Sequence, residues 1–178
     1  MPGPAFIRGE RLALRTVEEE DLEFLQEQVN APEVRRYLPP RRPINGHQER
    51  EWFEERASAD DHTSLLVCRD EEPMGSVGLH PAGGDVGVSA EIGIFLAEPF
   101  WGEGYATEAG RLITDYAFDE RRHHRVVARV FEGNDGSRRV WEKLGFRHEA
   151  VHEEAAFLGG EYVDEHLYAV LEDEWEAE

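Results

Sequence analysis

Residues 92–107, Ile-Gly-Ile-Phe-Leu-Ala-Glu-Pro-Phe-Trp-Gly-Glu-Gly-Tyr-Ala-Thr, have the makings of an anion cradle. Ile92, Ile94 and Leu96 alternate as strand residues do, Pro99 closes the strand, and from Ala106 to Phe118 the apolar residues change to a helical rhythm. Gly102 and Gly104 stand at the junction. A helix start leaves about four backbone N–H groups without intrahelical partners, and glycines ahead of it let a phosphate come close to them. The segment therefore asks for a phosphorylated ligand. Spacing argues against two nucleotide loops. No lysine follows Gly104, as a Gly-x-x-x-x-Gly-Lys-Ser/Thr loop requires, and Thr107 stands where the third glycine of a Gly-x-Gly-x-x-Gly turn belongs. A plain strand-to-helix turn, with glycine only relieving backbone strain, stays open on this fragment alone.

A second cluster is Asn134-Asp-Gly-Ser-Arg-Arg-Val-Trp-Glu-Lys-Leu-Gly-Phe146. Together with Trp-Gly-Glu-Gly-Tyr-Ala-Thr-Glu-Ala at 101–109, it resembles the GNAT superfamily of N-acetyltransferases, and within it the branch that acetylates ribosomal-protein N-termini. The likeness extends from Arg11-Leu-Ala-Leu-Arg15 to Asp164-x-x-x-Tyr168. It implies transfer of an acetyl group from the co-substrate acetyl-CoA to a primary amine, by direct attack in a ternary complex. The superfamily's cradle, Arg/Gln-x-x-Gly-x-Gly/Ala, meets Trp101 at its first position and Gly104 and Ala106 at the others. The resemblance thus places the pyrophosphate of coenzyme A beside Trp101, on backbone donors of Gly102, Glu103, Gly104, Tyr105, Ala106 and Thr107, with the Glu103 carboxylate turned away. The pantetheine arm is expected along Ile94, Phe95 and Leu96 as an added strand. A backbone N–H around Phe95 or Leu96 is expected to face the oxyanion.

An ammonium cannot attack. Amines titrate near 8 for an α-amino group and near 10.4 for lysine, so a proton must leave first. Glu91 matches the strand position where many relatives carry a glutamate that acts through water. It alternates with Ile92 and Ile94 and so faces the other side of the sheet; the competing reading is an exposed carboxylate that merely keeps that side wet. Many relatives place a tyrosine seven residues after the asparagine to protonate the leaving thiolate. Here that position is Trp141, whose indole donates a hydrogen bond but is no practical acid. Ser137, one turn earlier on the same helix face, is then the expected donor, with Asn134 orienting the cofactor and Trp141 beside it. The ordinary alternative makes Asn134 or Asp135 an N-cap, Ser137 a first-turn polar residue, and Trp141 core packing with Leu144 and Phe146.

Composition fits one catalytic domain over residues 1–178. The 178 residues show no linker and no internal repeat, and Leu38-Pro-Pro-Arg-Arg-Pro43 is the one loop-like tract of note. No apolar run approaches the ~18 residues of a spanning helix, and no signal peptide is apparent, so a cytoplasmic protein without a membrane partner is expected. Cys68, the single cysteine, lies in the apolar run Leu65-Leu-Val-Cys68 and reads as a buried core thiol. Arg35-Arg36 and Arg41-Arg42 hardly make a nucleic-acid groove. Of the eight histidines, His123-His124 reads as part of a solvated turn, and no metal is expected.

The elements that must hold these residues alternate along the chain. A strand is expected over 11–15, then a capping box of Thr16 and Glu19 ahead of a helix with Leu22, Leu25 and Val29. A second helix starts near Asn45 with Gln48 in the capping-box position and Trp52 and Phe53 on one face. Strands over 63–69 and 74–79 flank an Asp70-Glu-Glu-Pro73 turn, and 90–96 continues the sheet. The cradle helix carries Leu112, Ile113, Tyr116 and Ala117; Val126–Phe131 returns as a strand, Ser137–Leu144 is a short helix stopped by Gly145, and strands near 147–152 and 162–171 end the sheet. The fold class is α/β (α+β). The resemblance implies the acyl-CoA N-acyltransferase fold, a mixed, mostly antiparallel sheet of about seven strands with about four helices.

The acceptor is expected to be a protein N-terminal α-amine, such as that of a ribosomal protein, on a monomer or homodimer. The same branch includes enzymes for polyamines, antibiotics and small amines. A non-catalytic acyl-CoA-binding regulator, and more remotely a nicotinamide-binding enzyme, are the readings from other classes. Residues 35–53 and the hairpin at 155–163 are expected to border the amine pocket.

Thirty-nine Asp and Glu against 19 Lys and Arg give a net charge of −20, spread along the whole chain. Such a surface repels itself in dilute buffer and is relieved where salt shortens the screening length to about 3 Å near 1 M. Adaptation to a salty cytoplasm is the expected cause. The melting temperature should therefore rise between low and molar KCl in a calorimetric scan; a flat response removes this account of the charge.

Overall fold

Period-two alternation of apolar residues yields strands that join into one sheet, and 3.6-residue periodicity supplies the helices that cover its two faces. The computed structural model describes residues 2–39, 42–82 and 88–175, so Pro40 and Arg41 of the proline-rich tract lie outside the described residues. The strands are β1 (Ala5–Arg8), β2 (Ala13–Thr16), β3 (Thr63–Arg69), β4 (Glu72–Ala82), β5 (Ser89–Leu96), β6 (Arg125–Phe131), β7 (Arg147–Leu158) and β8 (Glu161–Leu171). They are ordered β1-β2-β3-β4-β5-β6-β8-β7. Every neighbouring pair is antiparallel except β5 and β6. The helices are α1 (Leu22–Asn30), α2 (Pro32–Arg35), α3 (Gly46–Trp52), α4 (Tyr105–Asp119) and α5 (Asp135–Lys143).

Each sheet face has its own core. On one face Ala109, Ile113, Ala117 and Phe118 of α4 and Trp141 of α5 bury Leu65, Val77, Ile92, Val126 and Tyr168. On the other, Leu22 and Leu25 of α1 cover Leu66 and Cys68, with Trp52, Phe53 and Phe95 packed at the margin. Gly110 lets α5 close on α4: a Cβ there would stand 3.0 Å from Leu144 Cδ1 and 3.5 Å from Trp141 Cζ3.

Several boundaries differ from the sequence-based expectation. The sheet has eight strands among the described residues rather than about seven, because the short edge strand β1 pairs with β2. The capping box before α1 is made by Glu18 and Asp21, whose Oδ2 accepts the Glu18 N–H at 2.9 Å. Thr16 instead donates its hydroxyl to Glu18 at 2.7 Å, because a 3-10 turn over Glu19–Asp21 precedes the helix. Asp70 adopts a φ of +56°, so the β3–β4 turn closes at Asp70-Glu71 and Pro73 falls inside β4, at an irregular register opposite Cys68. The box at α3 is present as expected, with Asn45 Oδ1 accepting from Gln48 N at 3.0 Å and Gln48 Oε1 accepting from Asn45 N at 3.0 Å. The β7–β8 hairpin is longer than expected, running to Leu158.

One pairing feature positions the site. β5 pairs with β6 only from Ser89–Arg125 to Ile92–Ala128, whereas its pairing with β4 continues to Leu96–Gly75. Beyond Ile92, β4 carries β5 one way and β8 carries β6 the other, and the sheet opens.

Burial pushes the Cys68 thiol up to about 12 and leaves its side chain without exposure. A thiol with so high a pKa stays protonated at pH 8. It is expected to resist Ellman's reagent in the native protein and to react with one equivalent after denaturation; fast native labelling would contradict the packing of the second core.

Candidate active site

Where the sheet opens, β5 presents unpaired backbone groups. The ladder alternates between residues facing one neighbour and residues facing the other, and the Ala97 N–H bonded to the Met74 carbonyl at 2.8 Å sets the phase. Phe95 therefore spends its N–H and carbonyl on β4, while those of Ile94 and Leu96 point into the opening. The Leu96 carbonyl accepts the Trp101 indole N–H at 2.7 Å, which folds the following loop back over the strand end.

That loop delivers the chain into α4. Gly102 and Gly104 have φ of +78° and +83°, the left-handed region that glycine enters without penalty. A Cβ at Gly104 would stand 3.2 Å from Arg11 Nη2. Arg11 is the anchor of the loop: its Nη1 donates to the Glu103 carbonyl at 2.9 Å and its guanidinium lies over the Tyr105 ring at 4.8 Å. Glu108 in turn accepts from Arg11 N at 2.8 Å, Arg11 Nε at 3.0 Å and Leu12 N at 3.3 Å. The first intrahelical bond of α4 is Glu108 N to Gly104 O, so the N–H groups before it are left for a ligand. Glu103 itself is exposed and stands outside the cavity lining.

A cavity of about 410 Å³ lies against these donors, lined among others by Ile94, Leu96, Trp101, Gly104, Thr107 and Ser137. Phe95, Gly102, Tyr105, Ala106 and Asn134 also line it. Arg139 and the single lysine, Lys143, reach it from α5, and among the described residues no Asp or Glu lines it although the chain carries 39. Helix N-terminus, glycines and cations together suit a phosphorylated ligand.

A second cavity, also about 410 Å³, lies on the α1–α3 side of the sheet. The two share Tyr37, Leu38, Ile94, Phe95, Asn134 and Ser137, which marks where their contents meet. Glu91 lies in the second cavity, on the sheet face opposite Ile92 and Ile94. It is not a lone carboxylate. Its Oε2 accepts from Arg129 Nε at 3.1 Å, Arg129 Nη1 donates to Glu165 Oε1 at 3.0 Å, and His80 Nε2 stands 3.9 Å from Glu91 Oε1. Ser137 accepts the Trp141 indole N–H at 3.2 Å, which leaves its own hydroxyl proton free to point elsewhere, and Asn134 Oδ1 caps α5 by accepting Ser137 N–H at 3.2 Å. Trp141 is 1% exposed and touches only the second cavity, so it holds Ser137 from within the core.

Reasoning from sequence missed Arg11, Glu108, His80, Arg129 and Glu165. The expected segment 35–53 supplies Tyr37, Leu38, Ile44 and Trp52 to the second cavity, but residues 155–163 do not line it; β8 contributes Glu165 instead. Asp164 accepts Glu154 N–H at 2.8 Å, and the fully buried Tyr168 receives the Arg138 Nε–H at 3.2 Å, so both brace the hairpin and α5. No group of three or more metal-binding side chains occurs among the described residues, nor does a helix long and apolar enough to cross a membrane.

Comparison with known proteins decides the class. Residues 11–147 match the family model described as Acetyltransferase (GNAT) domain. The chain belongs to the GNAT acetyltransferase family. It is 30% identical over 178 residues to "Putative ribosomal N-acetyltransferase YdaF" of Bacillus subtilis, covering 96% of each chain. Among solved structures, an acetyltransferase (GNAT family) from Bacillus anthracis superposes with a TM-score of 0.83 at 29% identity, covering 94% of this chain and 99% of that one. Spermidine N-acetyltransferase from Vibrio cholerae, solved with CoA and spermine, gives a TM-score of 0.86 at 23% identity over 93% and 98% of the two chains, a likeness of fold. The GNAT protein is thus an acyl-CoA-dependent N-acetyltransferase with acetyl-CoA as co-substrate.

Gly104→Ala forces an L-residue into the left-handed region, at roughly 1–2 kcal/mol, and crowds Arg11. Calorimetry should show a lower melting temperature and acetyl-CoA binding weakened at least about tenfold, while Glu103→Ala should leave both unchanged; the reverse pattern would move the phosphate site elsewhere.

Proposed function

We propose that this GNAT enzyme acetylates the α-amine of a protein N-terminus, a ribosomal protein being the best candidate. The observation that supports this reading most is the division of charge between the two cavities. The first, with cations and no carboxylate in its described lining, suits the phosphates of coenzyme A on the donors of Gly102–Thr107, and the free edge at Ile94 and Leu96 suits its pantetheine arm. The Leu96 N–H, turned into the opening, is then the donor for the oxyanion, an arrangement that typically contributes a few kcal/mol. Ser137, at the junction of the cavities, directs its hydroxyl proton to the departing sulfur.

The second cavity suits an amine with one charge. Its described lining holds Glu49, Glu91 and Glu165 against Arg56 and Arg129. Arg129 binds both Glu91 and Glu165, which removes the open acidic surface that the several ammonium groups of a polyamine would need. Leu25, Val29, Leu38, Ile44 and Trp52 form an apolar wall fit for a small first side chain. The name of the Bacillus subtilis relative points the same way. The acidic exterior is read as adaptation to a salty cytoplasm.

The test is release of CoA thiol in molar KCl across a set of acceptors. Peptides with a small apolar first residue should exceed spermidine at least about tenfold in kcat/KM. Preference for spermidine would overturn the N-terminal reading while leaving acetyl transfer in place, and saturable acetyl-CoA binding with no turnover on any amine would favour a non-catalytic binder.

A further inference from the structure

A row of polar, titratable side chains crosses five strands, its first four members lining the second cavity. His80 on β4 is the register partner of Glu91 on β5; Glu91 binds Arg129 on β6; Arg129 binds Glu165 on β8; and Glu165 Oε1 stands 3.2 Å from His152 Nδ1 on β7. In this row the two carboxylates are the groups already engaged. Glu91 has one oxygen on a guanidinium and the other toward an imidazole, and Arg129, which stays protonated, cannot pass a proton along. His80 is different. Its ring lies over Gly93, with Cε1 4.0 Å from the point a Cβ would occupy there, and Gly93 directly precedes the shared residues Ile94 and Phe95. On the far side it stacks on His62 at 6.1 Å between centroids and 13° between planes, and His62 Nδ1 stands 2.7 Å from Asp61 Oδ1.

From this arrangement we infer that His80 is the group that takes the proton from the acceptor ammonium, and that Glu91 is a positioning residue that orients the imidazole and stabilises its charged form. The inference rests on the amine occupying the second cavity. Two protons leave the nitrogen in the reaction. His80 accepts the first before attack and returns it directly to solvent, to which 38% of its side chain is open; the lone pair so freed forms the N–C bond, the C–S bond breaks, and the second proton ends on the sulfur, giving amide and thiol. Burial pulls the His80 pKa below its ordinary value, with His62, Arg129 and Arg56 acting in the same direction and Glu91 against it. The groups facing His80 are thus Glu91 from β5, Arg129 from β6, His62 from the segment before β3, and Arg56 from the turn after α3. A depressed pKa keeps the imidazole neutral, and able to accept, at neutral pH.

The test compares His80→Gln and Glu91→Gln with the wild type on two acceptors. One is a peptide with an ordinary α-amine; the other is a peptide hydrazide, whose terminal nitrogen is already unprotonated at pH 7. On the ordinary amine, His80→Gln should lower kcat about 10²–10³-fold with calorimetric acetyl-CoA binding unchanged, and on the hydrazide the loss should shrink to within about tenfold. A purely structural role for His80 would depress both acceptors equally and overturn the inference. Glu91→Gln gives an independent reading that does not need the His80 variant to fold. Removing Glu91, which raises the His80 pKa, should shift the acid limb of kcat to lower pH while preserving it. Loss of that limb would make Glu91 the base and defeat the proposal. Wild-type turnover with unimpaired His80→Gln would defeat it alone; a wild type inert toward every amine would defeat it together with the reading of the amine pocket.

Discussion

β5 is paired on both sides from Ser89 to Ile92 and on one side from Gly93 to Leu96, and this change of partners governs the site. A strand that stays in a sheet spends its hydrogen bonds on its neighbours. One that loses a neighbour halfway has donors and acceptors left over, and here they are fixed in direction by the half that remains paired. The opening also separates the tip of β5 from β6 just where α4 and α5 begin, so helix N-termini, the free strand edge and the junction of two cavities coincide. Replacing a side chain in that region alters what the opening holds; restoring the β5–β6 pairing would abolish it.

Charge is sorted around the opening with the same economy. In a chain that is acidic nearly everywhere, the cavity against α4 is lined among the described residues by Arg139 and Lys143 and by no carboxylate, whereas the cavity on the opposite face holds Glu49, Glu91 and Glu165. The sheet itself is the partition. Alternation of side chains sends Ile92, Ile94 and Leu96 to one face and Glu91, Gly93 and Phe95 to the other, so a single strand gives its free edge to the first cavity and its polar face to the second. Arg129 limits how acidic the second cavity becomes by holding two of its carboxylates together. The fold thus keeps two electrostatically distinct cavities side by side without an added domain.

The parts of the site written in consecutive residues were legible. Gly102 and Gly104 before a helical rhythm announce left-handed turns and free N–H groups, and Asn45 with Gln48 announces a cap, because each depends only on neighbours in the chain. The strand β1 was not legible: four residues at a sheet edge carry too little alternation to stand out. The β7–β8 hairpin was underestimated for a related reason, since His152 to Ala156 bulges and carries mostly exposed polar residues that break the period-two signal. The contacts of Glu91 were beyond reach from the sequence. Its pairing with Arg129 and the approach of His80 depend on the registers among β4, β5 and β6, and a shift of one residue in any of them would send one partner to the other face. The clamp of Arg11 by Glu108 spans 97 positions and answers to no local pattern.

Trp101 closes the loop over the β5 edge by giving its indole N–H to Leu96, yet leaves 38% of its surface in solvent. The other three tryptophans are placed differently: Trp141 is sealed in the core, Trp52 lines the polar cavity, and Trp175 packs against Phe118 and Phe146. The protein therefore carries its own optical gauges, one partly exposed indole on the first cavity, two on the second and, in Trp175, one that lines neither, so that emission colour and quenching can follow the filling of the cavities without any attached dye.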